Sequence, residues 1–208
     1  MARPRWRRQP RAVGTGRAAR RARPVARGAA AGLIVRPDAV SPSSVQARVF
    51  DALVLDRDAV LGGQLWRLWS GHWVHLDARH AAINLAALVV MALIAARMRQ
   101  LRPLLGVSLL LMPLTAAGLL IAVPDLPWYA GLSGLLHGCA AWLLLRRGGG
   151  VATSGALLLA GKLVWEQVAP AADASAFPVI HAAHVIGALV GAALALPGAL
   201  RGRRTPVR

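Results

Sequence analysis

Five apolar runs, separated by loops of alternating charge, limit what this chain can become. They cover residues 78–96, 104–123, 128–145, 151–168 and 179–200. Each is close to the roughly 20 residues a helix needs to cross a bilayer. The chain is 56% hydrophobic with mean hydropathy +0.51, too apolar for a soluble domain of 208 residues. The expected fold is therefore all-α, a polytopic bundle of membrane helices. The net charge of +17 would suit nucleic acid, but its placement does not. Ten arginines precede Gly28, four follow Leu200, and most others lie between apolar runs. That is the pattern of positively charged cytoplasmic loops, so no nucleic-acid partner is expected, and the bilayer is.

Loop charge also sets orientation. Asp38, Asp51, Asp56, Asp58 and Asp77 mark residues 36–77; Asp125 and Asp173 mark the loops after the second and fourth runs. Arg97, Arg99 and Arg102, then Arg146 and Arg147, mark the alternate loops. The basic loops face the cytoplasm and the acidic ones face outward. Five spans would leave the amino-terminal arginines outside, so a weak first span near residues 28–35 is expected, for six in total. It is short and meets Arg36 and Pro37. The expected organisation is a disordered basic cytoplasmic tail (1–27), the weak span and an irregular outer loop (28–77), a transmembrane core (78–200) and a basic cytoplasmic tail (201–208). Reporter fusions at residues 20 and 60 should fall on opposite sides. Trp66, Trp69 and Trp73 suit the membrane interface. The single cysteine, Cys139, lies in an apolar run and reads as a small core residue.

The third run opens Tyr129-Ala-Gly131-Leu132-Ser133-Gly134-Leu-Leu-His137-Gly138, a hydroxyl between glycines and a turn inside the span. At about 1.5 Å per helical residue, Ser133 lies roughly 5 Å below the outer surface. His184 in the last run lies at roughly 8 Å, and His80 and Asn84 in the first at roughly 3 and 9 Å. Four polar side chains on three helices thus share one level, and polar groups in lipid usually face the bundle interior. A neutral His can take the proton of a serine hydroxyl and make it nucleophilic. No acid lies at that depth on the last helix, so a Ser–His dyad is expected rather than a triad. His80 and Asn84, i and i+4, can donate to an oxyanion together with the Ser133 N–H. Structural alternatives stand beside this: a membrane serine often bonds its own backbone, and an intramembrane His or Asn often bonds between helices.

These residues carry a resemblance. Gly131-Leu132-Ser133-Gly134 resembles the G-x-S-G motif of rhomboid intramembrane serine proteases. His80-Ala-Ala-Ile-Asn84 resembles their H-x-x-x-N, Trp66-Arg67 their W-R pair, and His184-Val-Ile-Gly187-Ala-Leu-Val-Gly191 their last helix. The likeness covers about residues 60–200. The Tyr129–Gly138 context and Gly161-Lys-Leu-Val-Trp-Glu-Gln167 resemble the rhombosortase branch of bacteria. The resemblance implies Ser133 as nucleophile, His184 as base and then acid, and His80 and Asn84 as oxyanion donors. It implies a multi-pass protein of the bacterial inner membrane with its site facing the periplasm. Implied partners are membrane-anchored proteins with a carboxy-terminal Gly-Gly, apolar and basic tail. No cofactor is implied.

Lys162 and Glu166 are the only lysine and the only glutamate, i and i+4 in one run. They form either a neutralising ion pair facing the bundle or a polar contact for the substrate tail, since the fifth rhomboid helix borders the lateral gate. Gly131 and His137 are further candidate substrate contacts. His137, one turn below Ser133, is also a rival base, and His181 can support His184 or sit at the mouth. His72 and His75 have metal-ligand spacing, but no carboxylate or cysteine completes a set, so no metal is expected. Trp66 and Arg67 read as loop anchors. Gly187 and Gly191 form a small-x-x-x-small face for close helix packing. Two other functions remain open. A non-catalytic rhomboid-like binder of membrane proteins would not need the Ser133–His184 pair. A transporter would spread its polar groups over several depths.

Overall fold

The computed structural model describes residues 45–76, 78–168 and 180–202. They are mostly helical: α1 (Val45–Leu53), β1 (Leu55–Asp56), α2 (Arg57–Leu61), α3 (Arg67–Ser70), α4 (Ala78–Arg97), α5 (Leu101–Ala122), β2 (Trp128–Tyr129), α6 (Ser133–Arg147), α7 (Gly149–Val168) and α8 (His181–Gly202). Among them α4 and α5 are long and apolar enough to cross a membrane. The expected weak span at 28–35 and both basic tails, apart from residues 201–202 at the end of α8, lie outside the described residues.

The core forms around α6 and α8, the most extensively packed helix pair. Four glycines make that possible. A Cβ on Gly187 would run into the Gly134 carbonyl, and one on Gly191 into the Gly138 carbonyl. The converse also holds: a Cβ on Gly134 would lie 2.9 Å from the Ala183 carbonyl oxygen, and one on Gly138 2.8 Å from that of Gly187. Backbone approach this close multiplies the van der Waals contacts between the two helices. α5 and α4 close the other sides, with Leu104, Leu111, Leu132, Leu135, Trp142 and Leu143 in one cluster.

Polarity predicts an irregular loop for residues 36–77, of which 45–76 are described. Those residues instead build three short helices and a strand, held by side chains that bond to backbone carbonyls. Buried Arg67 donates from Nη1 to the Asp51 and Val54 carbonyls, at 2.7 Å each. Arg57 donates from Nη2 to the Leu120 and Val123 carbonyls at 2.7 Å and from Nε to Leu126 at 2.9 Å, capping the end of α5. Trp69 meets a need created by Pro113. Proline has no N–H to give the carbonyl four residues back, which leaves Leu109 unbonded inside α5. The Trp69 Nε1–H donates to that carbonyl at 3.0 Å. One turn along, His72 Nε2–H donates to the Met112 carbonyl at 2.9 Å. Trp66 and Arg67 thus have the anchoring role expected of them, with Trp66 Nε1–H donating to Ala52 at 3.3 Å.

Two corrections concern the third apolar run. Its first residues are not helical: Trp128 and Tyr129 pair antiparallel with Asp56 and Leu55. The helix begins at Ser133, so the serine is the first helical residue and not one turn inside.

Candidate active site

Ser133 reaches its position by an extended approach. β2 leads to Gly131, whose φ of +126° suits glycine alone, and whose N–H donates to the Gly71 carbonyl at 3.1 Å. A Cβ there would lie 3.1 Å from His80 Cε1, so the bare glycine lets the α4 imidazole close on the turn. The Tyr129 hydroxyl donates to the Gly131 carbonyl at 2.8 Å and neighbours the Ser133 side chain. Because Ser133 opens α6, its N–H belongs to the first turn, which lacks carbonyl partners one turn back. On α4, Asn84 is buried and its Nδ2 has no hydrogen-bond partner. A buried donor without an acceptor is costly, and this one is free to take an added acceptor.

His184 is fixed from both sides. It is 4% exposed, and its Nδ1 lies 2.9 Å from Glu166 Oε2 on α7. A carboxylate only accepts, so Nδ1 carries the hydrogen and Nε2 carries the lone pair. That Nε2 is buried and unpartnered. The ring stacks on His137 with centroids 4.2 Å apart and planes 14° apart. His137 in turn has Nδ1 2.7 Å from the Ser133 carbonyl and Nε2 2.9 Å from Lys162 Nζ. A carbonyl only accepts and an ammonium only donates, so His137 is neutral with hydrogen on Nδ1. Lys162 also pairs with Glu166 Oε1. His181 Nδ1–H donates to the Glu166 backbone carbonyl at 2.8 Å, tying the start of α8 to the end of α7.

The residues singled out in the sequence therefore assemble in two groups. Ser133, Gly131 and His80 gather where α4 meets the start of α6, with Asn84 buried one turn further along α4; His184, Glu166, Lys162 and His137 form one contiguous cluster across α6, α7 and α8. The two groups meet at the α6–α8 seam, where the Ala183 carbonyl approaches Gly134. The expected Ser133–His184 hydrogen bond is not made, since His184 Nε2 has no partner. His137 has its Nε2 lone pair occupied by Lys162, which removes it as a rival base. Spacing alone presents Glu166 as an ion-pair or substrate residue and gives no hint of its bond to His184. The last helix indeed carries no acid, but α7 supplies one. The signal available is a lone glutamate one turn from a lone lysine in an apolar run.

His72 and His75 do not act together as ligands. Burial holds the His72 imidazole below its ordinary pKa, and its Nε2 serves Met112; the His75 ring sits edge-on to His80 at 5.3 Å. Among the described residues, His137, Glu166 and His184 bring ligand atoms within 4.8 Å of one another. The Lys162 ammonium already bonds two of these three residues, so it serves as the cation of that cluster. Cys139 is buried and unpaired, as expected. No protein-family model matches the chain, and comparison with curated proteins gives no significant match.

Proposed function

We propose that this chain is an intramembrane serine endopeptidase of the rhomboid type, with six spans, in the bacterial inner membrane, its site opening toward the periplasm. One observation carries the reading most strongly. The buried Nε2 of His184 holds a lone pair and no partner, on the helix packed against that of Ser133. The reading requires Ser133 Oγ and that lone pair to meet across the α6–α8 seam when substrate binds.

In the reaction, Oγ attacks a peptide carbonyl carbon while its proton passes to His184 Nε2. Asn84 Nδ2, His80 and the Ser133 N–H donate to the oxyanion. Collapse breaks the C–N bond, and His184 Nε2–H protonates the departing amine. Water then attacks the acyl ester, giving its proton to the same nitrogen, which returns one to Oγ. Substrates are membrane-anchored proteins with a carboxy-terminal Gly-Gly, apolar and basic tail, as the rhombosortase resemblance implies. Lys162 is already bonded within the chain, which favours a positioning role for it over a direct hold on that tail.

Fluorophosphonate labelling of purified protein tests the reading. Wild type should label at Ser133, with Ser133→Ala and His184→Ala silent. An unlabelled, folded wild type would sink it. The unmade Ser133–His184 bond is the observation that favours the other reading, a rhomboid-like binder without catalysis. That binder would retain client capture in Ser133→Ala and show no labelling in any form.

A further inference from the structure

We infer that Glu166 is the third member of the catalytic group, with Lys162 fixing which way its side chain faces. The inference rests on the protease reading and goes beyond the dyad that the resemblance implies. The two carboxylate oxygens of Glu166 have separate tasks. Oε1 pairs with Lys162 Nζ, and Oε2 accepts from His184 Nδ1 at 2.9 Å. The second bond pins the hydrogen on Nδ1 and keeps Nε2 as a base. It also opposes the positive charge that His184 gains when it takes the serine proton. The ammonium is held in turn by His137 Nε2 at 2.9 Å, and His137 stacks on His184. The side chains of His184, Glu166, Lys162 and His137 thus close a ring around the base. Its outer member, Lys162, is 49% exposed along the side chain and Glu166 only 15%.

This arrangement makes a prediction that a simple ion pair does not. In Glu166→Gln the amide oxygen must face Lys162, because an ammonium has no lone pair to offer an NH2 group. The amide NH2 then faces His184 Nδ1. Two donors cannot face each other, so the imidazole moves its hydrogen to Nε2 and loses its basic lone pair there. Glu166→Gln should therefore slow fluorophosphonate labelling of Ser133 by about 10³-fold or more, the scale of loss when a triad acid becomes an amide. Adding Lys162→Met frees the amide to turn its oxygen to Nδ1. The double variant should label about tenfold faster than Glu166→Gln alone, a non-additive effect of residues acting as a unit.

Labelling of Glu166→Gln at the wild-type rate overturns the inference, as does a double variant no faster than the single one. Nitrogen-15 NMR of the wild-type His184 ring tests the same point without any substitution. A hydrogen on Nδ1 supports the inference and a hydrogen on Nε2 overturns it. Failure of wild type to label would instead strike the protease reading itself, so the two failures are separable.

Discussion

The two sides of α8 are held in opposite ways. Toward α6 the contact is backbone on backbone, with Gly134, Gly138, Gly187 and Gly191 leaving no space for a side chain. Toward α7 the contact is carried by polar side chains, His184 on Glu166 Oε2 and His181 on the Glu166 carbonyl. α7 itself buries only Ala152 among its described residues. A seam without side chains has one register and fixes depth. A bridge of long polar side chains fixes protonation and orientation while leaving its helix loosely packed. The His184 imidazole sits between them, placed by the first and oriented by the second.

The widest break in this comparison should come from filling the seam. Gly187→Val must push α6 and α8 apart, so thermal unfolding in detergent should show a loss of about 3 kcal/mol or more. A stability near wild type would mean the seam is not tight. Lys162→Met should act on the other side alone, lowering labelling of Ser133 about tenfold through a less firmly held Glu166 while the melting temperature changes little. A matching fall in melting temperature would show instead that the bridge supports the fold. Gly161→Ala on α7 sharpens the contrast with Gly187. Nothing lies within 4 Å of a Cβ at Gly161, so the change should be neutral or stabilise by up to about 1 kcal/mol through helix propensity. Trp69→Phe removes one hydrogen bond to Leu109 and should cost about 1 kcal/mol.

The smallest effect concerns pH. Burial disfavours the charged form of His72 and lowers its pKa in the folded state. The unfolded chain therefore binds the extra proton first, near pH 6.5. The stability that His72 contributes is complete above that value and is lost as pH falls toward the folded pKa. His72→Gln keeps a donor for Met112, so its stability should change less between pH 7 and pH 5.5 than that of wild type. Parallel curves for the two proteins would refute this.

Much of the helical layout is legible in the sequence because length and hydropathy identify apolar helices well. The four helices from Ala78, Leu101, Gly149 and His181 begin within about three residues of the expected positions. The start of α6 is not legible, because an apolar extended stretch such as Trp128–Tyr129 reads like the first turn of an apolar helix. The order in residues 45–76 is hidden for another reason. It depends on which carbonyls Arg57, Arg67 and Trp69 reach, and composition is silent about that. Spacing puts Ser133, His184, His80 and Asn84 at one expected level, and of these the fold brings His80 against Gly131, beside Ser133. Glu166 cannot be assigned to His184 that way, since its partner lies on another helix and sequence does not say which faces meet.

The Trp69 bond to the Leu109 carbonyl has a consequence for how the protein is made. Until Trp69 packs on α5, the carbonyl that Pro113 cannot serve is bare, and a bare carbonyl in apolar surroundings is expensive. Folding therefore has a late step: the α3 segment must close on α5 before that helix has all its carbonyls served. A protein whose indole never arrives carries a lasting defect at mid-helix.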